Sequence, residues 1–475
     1  SALFNEGLSV TAGVTTIAKL ATVASQLNVG SNIKAGSAGV LTATSFSGSG
    51  ANLTGISAGL STDEYENTSG GINALDSLSA GNATDNTAIG YEALTANTTG
   101  DANTGIGASA LNANTTGARN TAVGGQALAN NTTASDNIGI GYYALQVNTT
   151  GVNNIAVGRE ALEKNNADNN LAIGYQTLEE TTTGTQNVAI GNFALTAQTT
   201  GSYNTSIGMY SGQSNTTGSY NSALGRSSLN QNTTGSHNTA IGHQALYLNT
   251  TANDNTAFGS YALNQNTVGS QNVGVGNSAL KSNTTGLYNT AVGYLAMLSN
   301  TTSSHNTAYG YQALYTNTTG AYNVAIGDKA LYANNGESNV AVGRHALTAN
   351  TTANSNVAVG NYALDAATTG GENTAVGHQA LTSNTTGVRN TSVGQASLNS
   401  NTTGDRNTAV GRIALYTNTT GDYNTALGQG AMYYNNADAN TSVGYESMNA
   451  NTTGSSNTAV GAYALDANTT ASNNT

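Results

Sequence analysis

The chain has 475 residues with 58 Gly, no Pro, no Cys and no Trp, and only 8% of it is charged. Without Cys there is no disulfide framework and no thiolate metal site, and a net charge of −12 with only 12 Lys and Arg removes the basic footprint of a nucleic-acid binder. Apolar residues make up 37% of the chain and are regularly placed, whereas disorder goes with few apolar residues and high net charge, so an ordered protein is expected.

Residues 1–55 carry apolar residues at loose alternation, including Leu8, Val10, Val14, Ile17, Leu20 and Val23, interrupted by Gly13, Gly30, Gly36 and Gly39. This suits short strands and turns, with a short helix over Thr15–Leu27 as the alternative. Ser1–Glu6 is not the basic start of a signal peptide, and no stretch of the chain approaches the ~18 apolar residues of a membrane span. Residues 56–85 form a transition with a degenerate unit beginning at Asn67. Repeat arrays need such an atypical unit to cover their first open edge.

From Asn86 to the end at Thr475 the chain is one phrase, typified by NTAIGYEALTANTTGDA, repeated in twenty-three copies. The period is seventeen residues, and positions within a copy are numbered here as slots 1 to 17. A unit this short cannot bury its own apolar face and must lean on its neighbour, which predicts an all-β, parallel β-solenoid. Slot 1 is Asn and slot 5 is Gly in all twenty-three copies. Slot 4 is a large apolar residue, slot 9 is Leu or Met except at Gly212, and slots 3 and 8 are small. These positions give the expected core, Ile89, Leu94, Ile106, Leu111, Val123 and Leu128, with obligatory turns at Gly90, Gly107 and Gly124.

The spacing predicts two strands per coil, around Thr87–Ile89 and Ala93–Thr95, joined at Gly90 and closed by the NTTG turn. β-Branched residues beside small ones oppose a helix. Copies beginning at Asn154, Asn323 and Asn424 are one residue short, each time where NTTG would stand, which marks that stretch as a surface loop. Stacked at the strand spacing of about 4.8 Å, the copies would make a rod of roughly 110 Å. Two large aliphatics per coil leave a lone coil under-buried, so an oligomer is expected, with the small slots 3 and 8 facing a neighbouring chain. A parallel trimer is the expected form, although spacing does not give the number.

The phrase NTAVGGQAL at Asn120–Leu128 resembles the head repeats of trimeric autotransporter adhesins, which implies left-handed parallel β-rolls packed as homotrimers. Those repeats are commonly shorter, and this chain adds residues at NTTG. The segment GSAGVLTATSFSGSGANLTGIS at Gly36–Ser57 is similar to bacteriophage tail fibres and related virion appendages, notably those of cyanophages, which also carry NTAVG-type arrays. The resemblance implies a non-enzymatic structural fibre on the virion surface, with residues 1–55 as a connector, 56–85 as a cap and 86–475 as the array. A bacterial adhesin or cell-surface filament is the alternative. The chain starts without Met and ends two residues into a further copy, so it is expected to be part of a longer protein with other virion or surface proteins at its ends.

Candidate chemistry is sparse. Ile89–Leu94 fits one hexapeptide of the β-helix acyltransferases, but the following Thr95–Gly100 lacks the aliphatic start of a second one, and no catalytic triad, carboxylate pair or phosphate loop is present, so no enzyme, cofactor or metal is expected. His237 and His243 are the one histidine pair placed near enough to weigh as metal ligands. Solvated imidazoles are the expectation for both. Asn97-Thr98-Thr99 and its equivalents satisfy the N-glycosylation rule, yet slot 12 also accepts Thr181, Gln198 and Ala367, which favours an Asn that caps a turn. The Thr pairs also suggest an ice-binding array, which the deletions in the same stretch oppose. Tyr203, Tyr220, Tyr288, Tyr322 and Tyr423 share slot 17, and Tyr91, Tyr142, Tyr175, Tyr294, Tyr311 and Tyr445 share slot 6. Rings with a polar tip suit sugar faces and interfaces, so host polysaccharide is the candidate ligand at slot 17, weighed against simple covering of the turn edges.

Overall fold

The computed structural model describes residues 60–78 and 83–475, all within Ser57–Thr475, the second of the two units into which the chain divides. The expected connector, residues 1–55, lies outside the described residues.

Every copy makes one circuit and contributes one strand of three residues, slots 2 to 4. The sheet begins with β1 (Ser61–Thr62), antiparallel to β2 (Thr68–Gly70), and continues through β3 (Thr87–Ile89) to β25 (Thr458–Val460) with every later neighbour parallel. Register is preserved from coil to coil, as in Thr87↔Thr104, Ala88↔Gly105 and Ile89↔Ile106. No helix occurs among the described residues.

The first expected strand is present; the second is not. Ala93–Thr95 lies in consecutive turns, closed by the Ala93 N–H on the Gly90 carbonyl at 3.5 Å and by the Asn97 N–H on the Leu94 carbonyl at 3.1 Å. Leu94 has a left-handed φ of 52°, which no strand residue adopts. Glu92 and Ala102 are also left-handed, at 55°, and residues of that kind recur at slots 7, 9 and 17 of each coil, non-glycine everywhere except at Gly212 and Gly430. Such residues cost of order 1–3 kcal/mol each and persist where their surroundings fix them. Here the surroundings are the next coils. Leu94 N–H donates to the Ala110 carbonyl at 2.9 Å, Ser109 N–H to the Tyr91 carbonyl at 2.8 Å, and Ala102 N–H to the Thr84 carbonyl at 3.0 Å. The backbone ladder therefore runs around the circuit although only one side is pleated.

The corner at slot 5 requires Gly for two reasons. Gly90 has a φ of 137°, and a Cβ there would stand 2.6 Å from the carbonyl oxygen of Gly107. Neither condition admits a side chain.

The inward residues differ from the expected set. Leu94, Leu111 and Leu128 are fully buried, as are Ala88 and Ala93. Ile89 and Val123 are only half-buried, and Ile106 is exposed. The expectation of an inward Ile/Val column at slot 4 is thus corrected by the alternation of a strand: slots 2 and 4 share one face, and slot 3 takes the other. The interior admits only a small side chain at slot 3. At Gly105 a Cβ would already lie 3.3 Å from Leu94 Cγ. Slots 3 and 8 are small because they pack inside their own coil, not because a neighbouring chain approaches them.

The rest of the interior is amide. Asn86 and Asn97, at slots 1 and 12, are fully buried, and the same is true of their equivalents along nearly the whole array. Asn103 receives its place from below and above: its backbone N–H donates to Asn86 Oδ1 at 2.9 Å, and its own Oδ1 accepts the Asn120 N–H at 3.0 Å. Its Nδ2 donates to the Gly117 carbonyl at 2.8 Å, which also accepts Asn114 Nδ2 at 2.9 Å. Asn114 Nδ2 in turn reaches Asn97 Oδ1 at 3.0 Å. Two parallel columns of amides are thereby tied to each other once per coil. Only Asn has a carbonyl and an NH2 at this reach, which accounts for its invariance at slot 1.

The three short coils keep this arrangement. Asn165 stays buried and donates to the Ala167 carbonyl at 2.8 Å. In most full-length coils the slot 13 N–H bonds to a backbone carbonyl of the next coil, as Thr98 does to Thr115 at 2.9 Å. Before a short coil that acceptor is replaced by a side chain: Asn166, Asn335 and Asn436 present Oδ1 at 2.8 Å to the N–H groups of Thr149, Thr318 and Thr419. The NTTG stretch is a turn whose Asn caps it, as expected, but that Asn is fully buried and only part of the stretch, such as Thr99, lies at the surface.

Candidate functional surface

Three outward columns follow from the circuit. The first is the solvent face of the sheet, where slots 2 and 4 alternate Thr or β-branched residues with Ile and Val. Slot 4 tolerates bulk here, and Phe258 and Tyr309 are 54% and 59% exposed. The result is a continuous half-covered apolar strip along the strands, the kind of surface that marks an interaction face.

The second column is slot 17, the left-handed residue ahead of each strand. Because successive coils are in register, neighbouring rings stack. Tyr203 and Tyr220 lie 4.9 Å apart at 3°, and Tyr220 and His237 lie 5.0 Å apart at 11°. A second stack runs Tyr288–His305–Tyr322, with separations of 4.8 and 5.0 Å. Tyr423 instead meets Arg406, whose guanidinium sits 5.3 Å from the ring centroid and donates to the hydroxyl at 2.6 Å. Stacked rings cover each other's faces, so what these tyrosines offer outward is hydroxyls, edges and the outer faces of the end rings. The stacks were legible from the repeat itself, since Tyr, Tyr and His fall seventeen residues apart, but His237 and His305 were not recognised as members. His243 belongs elsewhere, edge-on to Tyr261 at 5.2 Å.

The third is the Thr pair of slots 13 and 14. Thr98 Oγ1 donates to the Thr115 carbonyl at 3.0 Å, so slot 13 is tied into the ladder, while Thr99 at slot 14 is exposed. The acceptor nitrogen of the Asn-Thr-Thr sites inside the array points inward, as Asn97 is fully buried and its Nδ2 donates to the Gly100 carbonyl at 2.9 Å, while the terminal Asn468 is half-buried. The folded array does not present it for glycosylation.

Charge gathers at one place. Glu160, Glu163 and Glu179 bring carboxylate oxygens within 4.8 Å of one another, the one such group among the described residues. Burial, with Glu160 beside it, pushes the Glu163 carboxyl above its ordinary value, and burial with Glu163 and Glu180 does the same to Glu179. Glu160 is already occupied on both oxygens, by Arg159 Nη2 at 2.7 Å and Gln176 Nε2 at 2.9 Å. Of the three carboxylates, Glu160 is thus knit to protein partners. No helix among the described residues is long and apolar enough to cross a membrane.

No protein-family model matches this sequence, and no curated protein matches it.

Proposed function

We propose that the chain is a non-enzymatic structural fibre of a phage virion, in which the array gives reach and stiffness and copies associate through the outward face of the sheet, as a homotrimer. The observation that carries the reading is the unbroken parallel register from β2 to β25, in which each coil is bonded to the next by backbone and by buried amides. Such a column resists bending and needs no cofactor. Support for assembly comes from the apolar strip at slots 2 and 4. At about 4.8 Å per strand and about 10 Å across, twenty-four strands present roughly 1,100 Å² of flat surface, above the ~800 Å² per partner of a stable interface. Contacts with host polysaccharide along the fibre would use the hydroxyls and ring edges of Tyr203, Tyr220, Tyr288, Tyr322 and Tyr423.

The test is gold labelling of purified virions with an antibody to the array, combined with sedimentation of the isolated protein. Label on thin virion appendages and a trimeric mass are expected. Label confined to the bacterial surface would overturn the virion assignment, and a monomer at micromolar concentration would overturn the association. Glycan-array binding unchanged after Tyr→Ser substitution at slot 17 would remove the polysaccharide role.

A further inference from the structure

The buried interior is not continuous. Slot 9 holds Leu or Met in every copy but one, and the exception, Gly212, sits in a coil that also replaces both inward alanines by Ser206 and Ser211. The next coil follows with Ser228 at slot 8. All three serines are buried, at 2%, 0% and 0% exposure. The apolar core accordingly separates into two clusters. One ends at Leu195 and the other begins at Ala223 and Leu229.

Serine alone does not divide the core. Ser392 with Ser397 and Ser442 with Ser447 make the same substitution at slots 3 and 8, but Leu398 and Met448 remain at slot 9 and the second cluster runs through both coils. What distinguishes the coil at Asn204 is the missing leucine. Its ladder is intact: β-strand Thr205–Ile207 pairs on both sides and Gly212 N–H donates to the Ser228 carbonyl at 2.9 Å. Its Ser211 hydroxyl is also partnered, with Ser228 Oγ at 3.0 Å and the Ala223 carbonyl at 3.3 Å, and Ser228 Oγ of the next coil donates to the Gly225 carbonyl at 3.0 Å. The coil is thus held by hydrogen bonds with no large side chain beneath them. Gly212 further adds backbone freedom at a left-handed φ of 58° that Leu holds elsewhere.

We propose that the array consists of two cooperative segments joined by a yielding coil, Asn204–Tyr220, which opens before any other internal coil. In a linear stack, stability is close to a sum of unit and neighbour terms, so a unit that lacks its apolar contact to both neighbours is where the stack separates. The proposal concerns the folded column alone and stands whether or not the fibre assignment does.

The test is native-state hydrogen exchange of the full chain, read by mass spectrometry. Amides of 205–229 are expected to exchange at least about tenfold faster than those of coils well inside either segment, as a lost buried leucine and sub-global opening imply. The repair variant is Ser206→Ala/Ser211→Ala/Gly212→Leu. A Cβ at Gly212 would meet Leu195 Cδ2 at 2.8 Å and Ser206 Oγ at 2.9 Å; the first is the movable end of a side chain and the second is removed by the variant. Repair is expected to bring the exchange of 205–229 to the level of its neighbours. A converse variant, Ala257→Ser/Ala262→Ser/Leu263→Gly, should create a second fast-exchanging coil. Uniform protection across 187–255 in the unaltered chain, or fast exchange that survives a folded repair variant, would overturn the proposal.

Discussion

The two sides of each coil are built on different physics. On the strand side, slots 2 to 4 obey the ordinary rules: β-branched residues, period-two alternation, a parallel ladder. On the far side, slots 7 to 15 contain left-handed residues and buried amides that the same rules disfavour. The difference teaches that in so thin a solenoid the large apolar residues need not be the core. A coil with room for Ala88, Ala93 and one Leu94 is closed by Asn86 and Asn97, and the bulk at Ile89 is turned outward.

The sharpest way to break this contrast is to exchange what each side tolerates. Asn238→Ala removes Oδ1 from the Asn255 N–H and Nδ2 from the Ala252 carbonyl, contacts of 3.1 and 2.8 Å. The expected loss is about 3 kcal/mol or more. Ile241→Ala, on the half-exposed strand face of the same coil, should cost about 1 kcal/mol in dissociated protein. Urea unfolding of both variants reads the difference, and the reverse order would contradict it.

Slot 9 offers the next largest effect. Leu263 has a φ of 50°, and a β-branched side chain is poorly accommodated there, so Leu263→Val should destabilise by about 2 kcal/mol while Leu263→Met stays within about 1.5 kcal/mol. Melting temperatures of the two variants decide it. Equal behaviour would mean the left-handed turn is not fixed.

At the short coils the comparison becomes finer. Asn166→Ala strips the acceptor from the Thr149 N–H and is expected to cost about 1 kcal/mol, with Asn166→Asp restoring most of it. Conversely Ala367→Asn should stabilise by about 1 kcal/mol. Asn350 Oδ1, buried beneath Ala367, has no partner, and Thr181 Oγ1 marks a similar gap. A lower thermal midpoint for Ala367→Asn would show that the columns do not run through that coil.

The smallest effect is on pH. Glu163 and Glu179 have folded-state values raised above 4.5, so the folded chain holds protons that the unfolded chain releases first. Their contribution is fully present below about 4.5 and is lost as pH rises through the raised folded values. Glu163→Gln/Glu179→Gln should flatten that decline in a pH series of melting curves. Asp136 and Glu372, held low by Arg119 and Arg389, act oppositely and lose their contribution in acid.

Much of this was written plainly in the repeat. The period, the Gly90 corner, the strand at Thr87–Ile89 and the buried Leu94 follow from spacing and composition. The orientation of slot 4 does not, because hydrophobicity alone sends Ile89 inward, and only the narrowness of the coil sends it out. The signal was nevertheless present in how the copies vary. Slot 4 accepts Val, Leu, Phe258 and Tyr309, as a surface position does, while slot 9 never accepts Val or Ile, as suits a position that is both buried and left-handed. Stacking of asparagines along the solenoid was legible, but their place in the interior was not: Asn-Thr-Thr has the composition of a loop, and its burial becomes visible only when the next coil supplies the partner.

The most direct measurement is hydrogen exchange of side-chain amides in asparagine-labelled protein by solid-state NMR. Two populations are expected: slowly exchanging NH2 groups from slots 1 and 12, and fast ones from surface asparagines such as Asn253. Uniformly fast exchange would mean that the amides face water and that the interior is filled by something other than the paired columns described here.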